Sequence, residues 1–335
     1  GKGAKEPAPK KFGTDPDSYE AHVGTVVFEI PLAVAADAKP GDAEFSLTVN
    51  YMMCTEEMCL APTDLVVKGR VKVAGGAAAP KAPDDVVFEE DIVYGKGGDE
   101  DLKLDMSRPK DAKGPLPVVV VIHGGGWKAG DRKAHDNLTW LLAKRGYAAA
   151  TIEYRLCPKH LWPAQIEDSK CAVRFLRANA EKYGLDGRHI GAVGFSAGAH
   201  LALMLGTVDD PALEGKGGSA GESSKVQAAV SFFGPTDLLA KNLPDQSLGI
   251  LKEFLGGTAA EKADAYRAAS PLTHVSAGDA PVLMFQGTKD PLIPTAQATE
   301  MDEALKKAGV KSRCEILEGA GHGWKDPELT RTLNE

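Results

Sequence analysis

The chain has 335 residues, 43% of them hydrophobic, and a formal net charge of −8, enough length for one large domain and a small one. No long basic run interrupts that acidic balance, which argues against nucleic acid or an anionic membrane surface as a partner. The longest apolar run falls far short of the roughly 18 residues of a spanning helix, so no membrane insertion is expected.

Residues 1–20, rich in Lys, Pro, Gly and Asp, read as a flexible leader. Because the chain starts at Gly1 rather than Met, it reads as processed, with its targeting segment not included. Alternating or apolar runs follow at His22–Leu32, Ala43–Met52 and Asp64–Val73, separated by Gly, Pro and Asp turns, and predict a small all-β domain over residues 21–74. Residues 75–85, GGAAAPKAPDD, have the composition of a linker.

From residue 86 to 335 the pattern changes. Strands are predicted near 86–94, 101–106, 118–122, 147–155, 190–195, 226–232, 281–286 and 312–317. Helical stretches lie between most of the later ones, such as Ala164–Tyr183, where Ile166, Cys171, Val173, Leu176 and Ala180 share a face. Strands alternating with helices predict a mainly parallel α/β sheet, with the first two strands as an antiparallel lead-in. The long segment from Gly234 to Ala280 contains LGILKEFLGG, read as a helix packed on the sheet, with a partial lid as the alternative.

Sites in open α/β sheets form at the carboxyl ends of strands. The run Ile190–Val193 ends in Gly194-Phe195-Ser196-Ala197-Gly198 and passes straight into Ala-, Leu- and Met-rich sequence. That is strand, sharp turn, helix, the context in which a G-x-S-x-G serine stands clear of the sheet as a nucleophile. Such a serine needs a base, a carboxylate to orient the base, and backbone donors for the oxyanion. His322, between two glycines, is the candidate base. Asp290, just past a strand, is the candidate orienter, with Asp279 and Asp302 as rivals. Gly125 and Gly126, in His123-Gly-Gly-Gly-Trp127, together with Ala197 are the candidate oxyanion hole. Trp127, Tyr154, Leu292 and Ile293 are candidates for the substrate pocket, although Trp127 reads first as a packing aromatic. His123 is expected to fix its own loop, and Asp131 with Arg132 to form a surface ion pair. Nothing in this constellation calls for a metal or an organic cofactor.

These motifs carry a resemblance. HGGGW, GFSAG, GTKDPLIP and GAGHGW, in this order, together with EYRL, WPAQIED and FFGPTDL, resemble the α/β-hydrolase esterases, near the hormone-sensitive-lipase-like branch with its acetyl xylan and feruloyl esterases. The resemblance covers roughly residues 86–330. It implies an α/β-hydrolase fold, an eight-stranded mainly parallel sheet, and a serine carboxylesterase acting on short-chain acyl esters, including acetyl or feruloyl groups on plant polysaccharide. Phe195 stands where the hormone-sensitive-lipase elbow has Asp, which tilts the match towards polysaccharide esters. An arylformamidase or peptidase on the same scaffold is the alternative, as is a thiol-exchange or interaction protein with a vestigial hydrolase domain.

Five cysteines make an odd count, and no C-x-x-C with matching His supports zinc. Cys157, Cys171 and Cys314 read as buried thiols. Cys54-x4-Cys59-Leu-Ala-Pro resembles the immunoglobulin-like N-terminal domain of the disulfide-reductant transporter DsbD, over about residues 20–74. That resemblance implies an immunoglobulin-like, incomplete domain and either a structural disulfide or a thiol exchanged with a periplasmic partner. A close cysteine pair favours an oxidising compartment, so a periplasmic or secreted location is expected.

Overall fold

The computed structural model describes residues 10–12, 19–21, 41–51, 63–73, 81–325 and 327–334. The chain divides into two units, Gly1–Lys81 and Ala82–Glu335. In the first, β1 (Lys10–Phe12) pairs antiparallel with β2 (Tyr19–Ala21), and β3 (Gly41–Tyr51) pairs antiparallel with β4 (Thr63–Val73). The run at 22–32 and the pair Cys54 and Cys59 lie outside the described residues.

The second unit is built on β5 (Val86–Gly97), β6 (Glu100–Pro109), β7 (Leu116–Ile122), β8 (Ala148–Ile152), β9 (Leu185–Phe195), β10 (Ala228–Phe232), β11 (Val282–Gly287) and β12 (Ser312–Leu317). They form one sheet in the order β12-β11-β10-β9-β7-β8-β6-β5. From β8 to β12 every neighbouring pair is parallel, whereas β5–β6 and β6–β8 are antiparallel. Its helices are α1 (Asp136–Lys144), α2 (Ala164–Ala178), α3 (Ala180–Tyr183), α4 (Ala197–Thr207), α5 (Asp245–Leu255), α6 (Ala263–Ala268), α7 (Thr295–Lys307) and α8 (Glu328–Asn334). Among the described residues no helix is long and apolar enough to cross a membrane.

β7 shows why the sheet lies between two layers. Successive side chains of a strand point to opposite faces, and here Val118, Val120 and Ile122 join a core with α2 and α4, while Val119 and Val121 join one with Leu138 and Leu142 of α1. Both faces are covered, so the strand reads as an unbroken apolar run rather than an alternation. Apart from His200 and Thr207, α4 is apolar all round, and all eleven of its residues are buried, as a helix without a polar face must be. The long helix expected over 164–183 instead ends at Ala178 and resumes as the short α3, which Gly184 closes in the left-handed conformation. Ile166, Cys171, Val173 and Leu176 do share its buried face.

Candidate active site

Ser196 sits between β9 and α4 with φ 55° and ψ −118°, a backbone conformation that non-glycine residues rarely adopt. Two glycines permit it. A Cβ on Gly194 would stand 2.1 Å from the Gly198 carbonyl oxygen, and one on Gly198 would stand 2.1 Å from that of Ile122. Any other residue would push the helix off the strand. The turn is also stitched in place: the Ser196 N–H donates to Phe232 O on β10 at 2.9 Å, and Ser196 O accepts the His200 N–H at 3.0 Å.

The loops after β11 and β12 bring two more side chains to this point. Ser196 Oγ lies 2.8 Å from His322 Nε2, and His322 Nδ1 lies 2.8 Å from Asp290 Oδ2. A carboxylate can only accept, so Nδ1 carries the proton and Nε2 is left to accept from the serine hydroxyl. Asp290 is enclosed, while His322 keeps a fifth of its side chain exposed. Burial works against the charge on Asp290, but His322 and the backbone N–H groups of Ile293 and Leu292 outweigh it and hold the carboxyl below its ordinary range. Neither rival carboxylate comes near: Asp279 closes a turn on Ser276, and Asp302 takes Lys306 and Ser312.

Facing Ser196 is the loop after β7. Gly125 and Gly126 have φ 114° and 60°, and a Cβ on Gly125 would strike the Ala129 carbonyl oxygen at 2.1 Å. The N–H groups of Gly125, Gly126 and Ala197 donate to no acceptor among the described residues, and all three residues line the same cavity as Ser196 and His322. Its volume is about 360 Å³. Trp127 and Phe233 form part of its wall, Leu292 and Ile293 another part, and no Asp, Glu, Lys or Arg lines it. The hydroxyl of Ser247, a lining residue, is spent on the Leu292 carbonyl at 2.7 Å.

Three expectations are corrected by these contacts. Tyr154 does not line the cavity. It is 3% exposed, stacks on His123 at 4.4 Å and donates its hydroxyl to His123 O, so it props the glycine loop from behind. Arg132 forms no surface pair with Asp131. It is buried against Asp105, Asp91 and Glu153, because β5, β6 and the end of β8 converge on it, and Asp131 instead caps a short 3-10 turn. Finally, α5 is not a sheet-packed helix: Ile250 and Leu251 line the cavity, and Phe254 stacks on Trp127 at 4.1 Å. His123 does fix its own loop, through Nδ1 and Gly124 O at 2.7 Å. Cys157 and Cys171 are buried free thiols, and Cys314 is half-buried and free.

Two residues near the site were not singled out from the sequence. His200, one turn into α4, is fully buried and donates Nε2–H to Ala269 O at 2.6 Å, leaving Nδ1 to accept the Trp127 indole N–H at 3.3 Å. Burial pushes its imidazole down to about 4, which keeps it neutral, as that acceptor role requires. Gln286, at the end of β11, donates to Asp290. The signal in both cases was a polar residue inside an otherwise apolar run.

The BD-FAE family model matches residues 104–305, more than half of the chain. The chain belongs to the BD-FAE family. The matched span contains the elbow, the glycine loop and Asp290, and leaves the first unit unassigned, so the resemblance of residues 20–74 to a disulfide-exchange domain gains no support from it. Esterase LipQ of Mycobacterium tuberculosis is 35% identical over 224 residues, covering 65% of this chain and 53% of LipQ. The chain thus spans about half the length of the curated relatives it matches. Among solved structures, a truncated carbohydrate esterase from gut microbiota superposes with a TM-score of 0.65 at 26% identity, over 76% of this chain and 98% of that one. The esterase Est2 of Thermogutta terrifontis, with propionate bound, gives 0.63 at 31% identity over 76% and 93%. This family's α/β-hydrolase fold accounts for the eight-stranded sheet, and the α/β unit is a carboxylic ester hydrolase.

Proposed function

We propose that the whole protein is a serine carboxylesterase for neutral esters whose acyl group is apolar and fits the cavity beside Ser196. The observation that carries this reading is the relay of two 2.8 Å hydrogen bonds from Asp290 through His322 to a serine hydroxyl on the wall of an uncharged cavity. In this reaction Ser196 Oγ attacks the ester carbonyl while its proton passes to His322 Nε2, and the imidazolium is held by Asp290. The N–H groups of Gly125, Gly126 and Ala197 receive the oxyanion. The alcohol leaves with the proton from His322, which then takes one from water as the acyl-enzyme is hydrolysed.

No Asp, Glu, Lys or Arg lines the cavity, so a charged acyl group buried there would find no ion-pair partner apart from the groups the reaction itself uses. Est2 has been solved with propionate and with butyrate, which supports a short acyl chain, and the likeness to a carbohydrate esterase supports a polysaccharide on the alcohol side. Acetyl or feruloyl esters on plant polysaccharide are the substrates we propose, the acetyl ester on that basis and the feruloyl ester on the motif resemblance alone.

The test is initial-rate hydrolysis of p-nitrophenyl acetate, butyrate and octanoate, acetylated xylan, methyl ferulate and a matched anilide, by the wild type and Ser196→Ala. The expected result is ester hydrolysis that falls at least about a thousandfold in Ser196→Ala. Equal rates in the two proteins sink the proposal, and cleavage of the anilide without the esters moves the chemistry to amides.

A further inference from the structure

Gln286 has no exposed surface, yet its side chain is not spent on packing alone. Its Nε2 group donates to Asp290 Oδ2 at 2.9 Å and to the Ile293 carbonyl at 2.9 Å. Asp290 Oδ2 is the same oxygen that accepts Nδ1–H of His322, while Oδ1 accepts the N–H groups of Leu292 and Ile293. Both contacts of the Gln286 amide are acceptors, so its nitrogen must face them and its oxygen must face away. That oxygen, Oε1, is buried without a hydrogen-bond partner. An orphaned buried carbonyl is destabilising, and a hydrophobic residue would fill the same space without one.

We infer that Gln286 is a positioning residue for the acid–base pair. Its amide holds the Asp290 carboxylate in the orientation from which it aligns His322, and through Ile293 it ties that carboxylate to the cavity wall. The inference rests on the triad reading above. Without the amide, Oδ2 keeps only the His322 proton, and nothing on that side resists rotation of the carboxylate. The imidazole follows the carboxylate, and the 2.8 Å approach of Nε2 to Ser196 Oγ is lost. Substrate seated in the apolar cavity makes no contact with Gln286, so the loss falls on kcat rather than KM.

Gln286→Met tests this in the full chain, because it keeps the volume while removing both the donor and the orphaned oxygen. With p-nitrophenyl butyrate, kcat is expected to fall about tenfold with KM within about twofold, the melting midpoint to change little because the orphaned oxygen removed offsets the donor lost by the Ile293 carbonyl, and the far-downfield proton resonance of His322 Nδ1–H to shift or broaden. Gln286→Glu, should Met perturb folding, sets a second carboxylate against Asp290 and is expected to have a lower kcat than Gln286→Met at pH 8. An unchanged kcat in folded Gln286→Met, an unchanged kcat in Gln286→Glu, or a loss fully explained by a smaller active fraction on active-site titration overturns the inference. Ser196→Ala runs alongside. Should it keep wild-type activity, the triad reading itself fails; should it be inactive while Gln286→Met is not impaired, only the positioning role fails.

Discussion

The relay at Ser196 and the cluster around Arg132 are made from the same material, carboxylates on one sheet and its loops held by nitrogen donors, but they differ in what is left accessible. Around Arg132, the guanidinium takes Asp105 at 2.9 Å, Glu153 at 2.6 Å and Asp91. Asp105 Oδ1 also accepts the Asp91 N–H and Glu153 Oε1 the Lys103 N–H, while Arg132 Nε and Asp105 Oδ2 meet as a buried ion pair not aligned as a hydrogen bond. At the relay, the last donor is a serine hydroxyl on a cavity wall, and three backbone N–H groups beside it have no acceptor among the described residues. A network shut inside the protein can only affect stability; one that opens on a cavity has groups available for a ligand. Chemistry is thus distinguished from architecture by what is unpaired and accessible, not by residue type.

Substitutions that remove one function at a time should separate the two clusters. The largest effect is expected at the relay: Asp290→Asn removes the charge that holds the His322 tautomer, and kcat should fall by roughly 10⁴ with the thermal midpoint nearly unchanged. Steady-state kinetics beside a melting curve checks this, and a midpoint that collapses with activity would make Asp290 primarily structural. Arg132→Ala should do the opposite. It strands Asp105, which has no exposed side-chain surface, and should cost about 3–5 kcal/mol of stability in urea unfolding, with kcat per folded molecule little altered.

The smallest effect concerns a third buried polar group, the neutral His200. Its imidazole sits at about 4 when folded, against 6.5 as the ordinary value. The unfolded chain therefore binds the extra proton first, so this contribution to stability is complete above about pH 6.5 and is lost as pH falls towards 4, by roughly 3 kcal/mol in all. Unfolding free energy measured across that window should slope less steeply in His200→Gln than in the wild type. Parallel slopes would mean that His200 takes up its proton as readily in the folded protein as in the unfolded chain.

Much of this was legible from local pattern. The strands of the sheet show as apolar runs or, as in β6, as alternation, and the elbow at Ser196 is written in five consecutive residues, because backbone strain and close packing there involve neighbours within two positions. Asp290 and His322 followed from chain order and strand ends. Tyr154 misled because a tyrosine after a strand has the same sequence signature whether it faces a ligand or props a loop. Arg132 misled because its partners lie 21 to 41 residues away, and adjacency to Asp131 suggested a pairing that the chain turns away from.

The sequence alone determined the order of elements, the strained turn, and the set of groups capable of nucleophilic catalysis, since these depend on propensity, glycine and spacing along the chain. Only the tertiary structure decided which of those groups meet. The serine and histidine that lie 2.8 Å apart are 126 residues apart in sequence. Likewise α5 was a legible helix, but that it covers the cavity depends on Phe254 finding Trp127, a contact that exists only once the sheet has brought the β7 loop and α5 to the same end of the molecule.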